Sequence, residues 1–249
     1  MRQVKKLFLA AGAAALAIHM TSWAGPAEVD HNRLTAADQF PGQWMAPGRT
    51  YGEQRFSPLS RINADNVSEL DLAWFADLPV DRGVEASPLM IDGVLYNIEP
   101  WNVTVAYDAK TGEELWRFDP QVDREKGRDA CCDIVTRGLA AWNGKIVIAT
   151  LDGRVIAVDA KTGSPVWSVE TFDPVWPYTI TGAPRVYDGK VVISNAGAEG
   201  AARGYVTAYD VETGEQLWRF YTVPGNPADG FESEAMEMAA KTWTGEWWK

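Results

Sequence analysis

Apolar and polar positions alternate in short runs along most of this chain. Val103-Thr-Val-Ala-Tyr107 and Val155-Ile-Ala-Val158 repeat every second residue, the period of a half-buried strand. The dipeptides Asp92-Gly93, Asn143-Gly144 and Asp188-Gly189 break the pattern. Apolar runs such as Lys145-Ile-Val-Ile-Ala149 and Lys190-Val-Val-Ile193 follow two of them. That arrangement predicts two-residue hairpin turns between strands.

A second signal recurs downstream of each hairpin. Ala106-Tyr-Asp-Ala-Lys-Thr-Gly-Glu-Glu-Leu-Trp116, Ala157-Val-Asp-Ala-Lys-Thr-Gly-Ser-Pro-Val-Trp167 and Ala208-Tyr-Asp-Val-Glu-Thr-Gly-Glu-Gln-Leu-Trp218 share one form, A-x-D-x-x-T-G-x-x-x-W. Both intervals, Trp116 to Trp167 and Trp167 to Trp218, are 51 residues. Thr-Gly predicts a tight turn, because glycine accepts positive φ. The closing Trp opens an outer strand and offers a large packing face. Each unit is then four antiparallel strands, one blade of an all-β propeller. A lone blade cannot bury both faces, so blades must stack. A β-sandwich would leave the 51-residue period unexplained.

The expected organisation is a signal at 1–24, a lead-in at 25–60, blades at 61–222 and a lead-in to a further blade at 223–249. The segment from Pro224 to Lys249 is rich in aromatics and carries no further turn signal. About three blades are visible, and a closed ring takes roughly four to eight.

Composition and charge narrow the partners. Arg2, Lys5 and Lys6, then an apolar run from Leu7 to Ile18, then Ser22-Trp23-Ala24, read as a secretory signal. The run is too short to cross a bilayer, although an uncleaved anchor is the alternative. Removing residues 1–24 leaves 20 cations against 34 anions, a net charge of −14. Such a chain repels phosphate backbones, so nucleic acid is not an expected partner. The expected location is the periplasm, and export gives the two cysteines an oxidising compartment. Only His31 survives signal removal, which disfavours multi-histidine metal sites and Ser-His-Asp triads. No phosphate-cradling glycine loop, dinucleotide fingerprint or CxxCH motif occurs. The chemistry therefore calls for a cofactor or for residues beyond position 249.

Meander topology puts the blade lead-ins and the loops between second and third strands on one face, the upper face. Glu85, Arg137 and Thr181 precede the first strands at matching positions, which predicts that they point to the axis at one depth; solvated loop residues are the alternative. Turn glycine to closing tryptophan spans 23, 23 and 29 residues. The insertion falls within Asn195-Ala-Gly-Ala-Glu-Gly-Ala-Ala-Arg-Gly204 and carries Glu199. Small residues there let a ligand approach the backbone, and the carboxylate suits a hard cation such as Ca²⁺. An ordinary loop is the alternative. Cys131-Cys132 lies before blade two. Adjacent Cα atoms sit about 3.8 Å apart, below the usual disulfide span of roughly 4.4–6.8 Å. By that geometry two thiols or an intermolecular bridge are favoured over a bond within the pair.

These residues together resemble one family. The repeat resembles the tryptophan-docking motif of pyrroloquinoline quinone (PQQ) propellers. Cys131-Cys132-Asp-Ile-Val-Thr-Arg137-Gly is similar to the vicinal-disulfide signature of PQQ-dependent alcohol dehydrogenases. Ala196-Gly-Ala-Glu199 with Arg203-Gly-Tyr-Val-Thr-Ala-Tyr-Asp210 is similar to their calcium-binding segment. Asn226-Pro-Ala-Asp-Gly-Phe-Glu and Thr242-Trp-Thr-Gly-Glu-Trp-Trp-Lys249 also match. The resemblance implies an eight-bladed ring with PQQ on its axis and a bonded Cys131–Cys132 ring against one quinone face. Glu85, Arg137 and Thr181 would hydrogen-bond the periphery, Gly197 and Ala198 would give backbone contacts, and Glu199 would ligate Ca²⁺. The reaction implied is oxidation of a primary alcohol to an aldehyde, with cytochrome c or a quinone as acceptor. The opposite stacking tryptophan, a second calcium ligand and the catalytic Asp base are expected past Lys249, so Trp247 and Trp248 are not read as the stacking residue. Gly200-Ala-Ala202 departs from the family's bulkier stretch. Two other functions remain open: a non-catalytic envelope scaffold of similar blades, and a sugar dehydrogenase of the same cofactor class. Neither accounts for the cysteine pair with Arg137 and Glu85.

Overall fold

A computed structural model describes residues 25–197, 200 and 202–248. Its strands form three antiparallel four-stranded meanders. The first contains β1 (Leu89–Ile91), β2 (Val94–Ile98), β3 (Thr104–Asp108) and β4 (Glu114–Phe118). The second contains β5 (Ala140–Trp142), β6 (Lys145–Ala149), β7 (Arg154–Asp159) and β8 (Pro165–Glu170). The third contains β9 (Arg185–Tyr187), β10 (Lys190–Ser194), β11 (Tyr205–Asp210) and β12 (Gln216–Tyr221).

The first hairpins take the expected mirror-image turns. Both central residues have positive φ: Asp92 at 53° with Gly93 at 85°, Asn143 at 43° with Gly144 at 71°, and Asp188 at 47° with Gly189 at 71°. The repeat's aspartate then builds the third turn. Asp108 Oδ1 accepts from the Lys110 and Thr111 amides and from the Thr111 hydroxyl, at 2.8–3.0 Å. Asp159 and Asp210 do the same with Thr162 and Thr213.

The Thr-Gly glycine has a second role that its backbone alone does not explain. Trp116 donates its indole N–H to the Ala160 carbonyl in the next blade at 3.0 Å, and Trp167 donates to Val211 at 3.0 Å. Each ring then lies on the next blade's turn. A Cβ on Gly163 would stand 2.6 Å from the Trp116 ring, and one on Gly214 would stand 2.8 Å from Trp167. The closing tryptophan therefore sits within its outer strand and docks on the following blade. Trp74 makes the same contact without a repeat around it. Its indole N–H reaches the Ala109 carbonyl at 3.1 Å, and Gly112 lies under its ring.

Residues 25–55 pack against the blades and include a short helix, α1 (His31–Thr35). Val29 and Ala27 carbonyls accept from the amides of the Asn143-Gly144 turn at 2.8 and 3.0 Å. The buried Arg33 pairs with Asp92 of the first turn. Trp44 exchanges backbone hydrogen bonds with Met90 at 2.8 and 3.1 Å, adding itself to the free side of β1. Leu34 and Met45 join one apolar core with Ile91, Tyr96, Ile146, Ile148, Val191 and Ile193. At the other end, Pro224–Trp248 holds a helix, α2 (Glu234–Ala240), where the sequence suggested only a lead-in. Ser233 caps it, accepting from the Met236 amide, and Glu234 and Glu237 lie in its first turn. Among the described residues, no helix is long and apolar enough to cross a membrane.

Two outcomes test this account of the turns. Gly163→Ala meets both a positive φ and the Trp116 ring, whereas Gly93→Ala meets a positive φ and open space. Gly93→Ala should cost about 1–2 kcal/mol and Gly163→Ala clearly more, read from urea unfolding; equal losses would deny the docking contact its weight. Hydrogen bonds from Thr111 and Thr213 amides hold the Asp108 and Asp210 carboxyls below the usual range. Their contribution is full above the ordinary carboxylate range and lost as pH falls through the lowered folded value. The double variant Asp108→Asn with Asp210→Asn should therefore flatten the acid limb of stability against pH.

Candidate functional site

The three polar lead-in residues meet. Arg137 Nη1 donates to the Thr181 hydroxyl at 2.7 Å and lies 3.3 Å from the Thr181 carbonyl. Its Nη2 pairs with Glu85 Oε2 at 3.2 Å. Three consecutive blades thus contribute one residue each to a single cluster at the inner ends of the lead-ins.

The backbone carries this convergence. The Arg137 amide donates to the Thr181 carbonyl at 3.0 Å, and the Ser87 amide donates to the Arg137 carbonyl at 3.3 Å. Ser87 and Gly138 form a parallel bridge. Gly138 has φ 144°, and a Cβ there would lie 3.3 Å from both Ala183 Cβ and the Ser87 carbonyl. A side chain at that position would push the lead-ins apart. Sequence reasoning overlooked Gly138, although a glycine directly between Arg137 and a first strand was visible. It also overlooked Ser87, whose hydroxyl accepts from Arg55 Nη1 at 3.0 Å.

Glu85 and Arg137 are each 45% exposed, so their ion pair adds little to stability. Its consequence is geometric. The guanidinium is fixed on two sides while part of the fork remains open to solvent.

Cys131 and Cys132 lie in the connection between β4 and β5. Both are exposed, and their sulfurs stand 2.6 Å apart. Adjacent side chains in an extended strand would point to opposite faces. Here both turn the same way. Asp133 follows at φ 71° and pairs with Arg82 at 3.1 Å, tying the cysteine segment to the blade-one lead-in.

The insertion loop meets the same end of the molecule. The Ala196 amide donates to the Thr179 carbonyl at 2.7 Å, two residues before Thr181. Gly197 has φ 109°, and a Cβ would come within 2.7 Å of Ala202. Asn195 bridges the loop's neck, donating to the Arg203 carbonyl at 3.2 Å and accepting from the Tyr205 amide at 2.9 Å. Arg203 is held in turn by Glu232 at 2.8 Å, and this contact lowers the Glu232 carboxyl below its usual range. Ala198 and Glu199 lie outside the described residues. Among the described residues, no group of three or more His, Cys, Asp or Glu is poised to hold a metal.

The chemistry available is therefore a fixed cation with an adjacent carboxylate and hydroxyl, together with a pair of sulfurs and a glycine-bearing loop whose segments are tied to the same lead-ins. These groups could hold a flat, oxygen-rich anionic ring by its edge and one face.

Comparison with known proteins bears on that arrangement. The model of the PQQ family described as "Glucose/ethanol/alcohol dehydrogenase, beta-propeller domain" matches residues 44–249. Quinohemoprotein alcohol dehydrogenase ADH-IIG of Pseudomonas putida is 56% identical over 222 residues, 89% of this chain and 31% of that protein. Its solved structure superposes with a TM-score of 0.87, covering 90% of this chain and 33% of the other. The quinohemoprotein alcohol dehydrogenase structure from Comamonas testosteroni gives 0.83 at 50% identity, covering 86% and 32%. A europium-containing methanol dehydrogenase gives 0.75 at 38% identity, covering 78% and 34%. The chain thus spans about a third of the length of the curated relatives it matches. The match takes in all three blades and the cluster they build, and the chain belongs to the PQQ β-propeller family of glucose, ethanol and alcohol dehydrogenases.

Proposed function

We propose that this chain forms the cofactor-holding part of an exported, PQQ- and Ca²⁺-dependent dehydrogenase that oxidises a primary alcohol to an aldehyde. The observation that carries the reading is the Arg137 cluster. A guanidinium bound to Thr181 and Glu85 stands at the meeting point of three blades in a PQQ-family propeller. Matched relatives are named for alcohol oxidation, and one is named a 1-butanol dehydrogenase (cytochrome c).

The residues fit the cofactor's chemistry. PQQ is a flat quinone fringed with carboxylates, and Arg137 supplies a planar donor fork for such oxygens. Thr181 adds a hydroxyl, and Glu85 can accept from a ring N–H. The paired sulfurs of Cys131 and Cys132 offer a polarizable face. Gly197 has no side chain to hold a ring away, and Gly197 and Ala198 are assigned the backbone contacts to it. When bound, the quinone supplies the two-electron acceptor that the side chains lack.

Arg137 would then act as a preorganised cation, stabilising negative charge on a neighbouring oxygen without moving. Thr181 and Glu85 keep its fork from rotating away. Glu199 is assigned as the Ca²⁺ ligand, since a carboxylate suits a hard cation that polarises oxygen. In this reading the aspartate base comes from sequence outside residues 1–249. Residues 1–24 direct export to the periplasm, and the electrons leave to cytochrome c or a quinone.

Two measurements check this. Titration of PQQ in Ca²⁺ buffer, followed by tryptophan quenching, should give saturable binding to this chain, weakened about 10- to 100-fold in Arg137→Ala, as expected when a charged hydrogen-bond partner is lost. Binding unchanged in that variant would remove Arg137 from the site. Dye reduction with PQQ, Ca²⁺ and a primary alcohol should be absent for residues 1–249 alone; turnover by this chain would overturn the placement of the base.

A further inference from the structure

The loop joining β2 to β3 has a feature that the corresponding loop of blade two lacks. Trp101 and Asn102 both adopt left-handed backbone, with φ 64° and 61°. Neither is glycine, so consecutive residues in this region carry strain. The surrounding contacts hold them there. The Glu99 amide donates to the Val103 carbonyl at 2.7 Å and closes the loop. Glu99 itself is buried and paired with Arg117 at 2.7 Å.

Asn102 is 1% exposed and bridges to the next blade. Its Nδ2 donates to the Ala149 carbonyl at 3.3 Å, and its Oδ1 accepts from the Leu151 amide at 2.8 Å. A buried side chain satisfying one backbone group at the end of β6 and one in the β6–β7 loop fixes one blade's upper loop against its neighbour's.

Trp101 packs against residues that flank the cysteine segment. It packs in a small apolar cluster of Val122, Ile134, Leu151 and Ala130, separate from the main core. Ala130 directly precedes Cys131, and Ile134 follows Cys132 by two residues. Both ends of the cysteine arch therefore meet the small cluster against which the indole packs. The ring is located from two more sides. Arg124 lies over it at 4.3 Å, and a Cβ on Gly127 would stand 3.1 Å from its edge.

We propose that Trp101 and Asn102 are positioning residues for the cysteine pair: together they set the height and tilt of Cys131–Cys132 beside Arg137. Asn102 locks the Trp101 loop to blade two, and Trp101 supports the arch from beneath. The functional consequence rests on the reading of the pair as a face of the quinone site. The positioning itself is measurable without any quinone.

The test follows amide hydrogen exchange and the chemistry of the cysteine pair in the full 249-residue chain. Trp101→Ala and Asn102→Gly should each speed amide exchange about tenfold within residues 122–138 through local opening, leaving the rest of the chain as in the parent. Trp101→Phe should stay within about twofold of the parent, because a ring still fills the cluster. Ile148→Ala, in the main core, controls for general destabilisation. Both thiols are already exposed, so their reactivity reads geometry and not access. After reduction with dithiothreitol and removal of the reductant, closure of the Cys131–Cys132 bond by oxidised glutathione, timed by mass spectrometry, should slow about tenfold in the same two variants, because the sulfurs are no longer held together. Exchange or closure unchanged in both variants, or altered only as far as in Ile148→Ala, would overturn the proposal. PQQ titration of the same variants separates the two readings. Slowed closure with unaltered quinone binding would leave the positioning standing and overturn the stacking role of the pair.

Discussion

The docking of one tryptophan face on the next blade's Thr-Gly turn is the constraint on which the rest of this structure depends. It joins a directional bond, indole N–H to carbonyl, with a flat contact that only glycine permits. A sheet-on-sheet interface made of aliphatic side chains alone would tolerate sliding. A hydrogen bond and a ring seated on a bare Cα do not. Each blade is therefore placed on its neighbour in one register, and Trp74, Trp116 and Trp167 repeat that register.

Register at the rim becomes convergence at the axis. Because successive blades are related by the same step, the residues before β1, β5 and β9 arrive at one level. Glu85, Arg137 and Thr181 are in contact there, on backbone that is itself hydrogen-bonded from lead-in to lead-in. Gly138 is the inner counterpart of the rim glycines, permitting close approach where the first strands crowd together. The chain is strongly acidic, with a formal charge of −11, so a cation at the focus of three blades stands out against its field. In the proposed function it is where an anionic, electron-accepting ring would be held.

The cysteine segment obeys a different logic. It belongs to no strand, and no repeat fixes it. Its position comes from a separate apolar cluster, from the Arg82–Asp133 pair and from a strained loop held by a buried asparagine. Where the blades supply a rigid frame, this segment needs its own foundation.

The three meanders, their turns and the alignment of Glu85, Arg137 and Thr181 were legible in the sequence. Alternation, turn dipeptides and a 51-residue period are local or periodic signals, and strands and type I′ turns are chosen largely by local backbone preference. Trp74 was not legible as a docking residue, because no A-x-D-x-x-T-G precedes it. Helix α2 was missed although Ser233 announces its start, because the aromatic tail drew the reading toward another blade. Gly138 was visible only as a glycine beside Arg137, and the roles of Ser87 and Asn102 could not be read at all. Each depends on which backbone passes within a few ångströms, from segments tens of residues away. The sequence by itself determined the blades and their repeat, since these follow from short-range preference. Only the tertiary structure decided which lead-ins touch, which glycines are needed for space, and what lies beneath the cysteines, because those follow from how the blades pack.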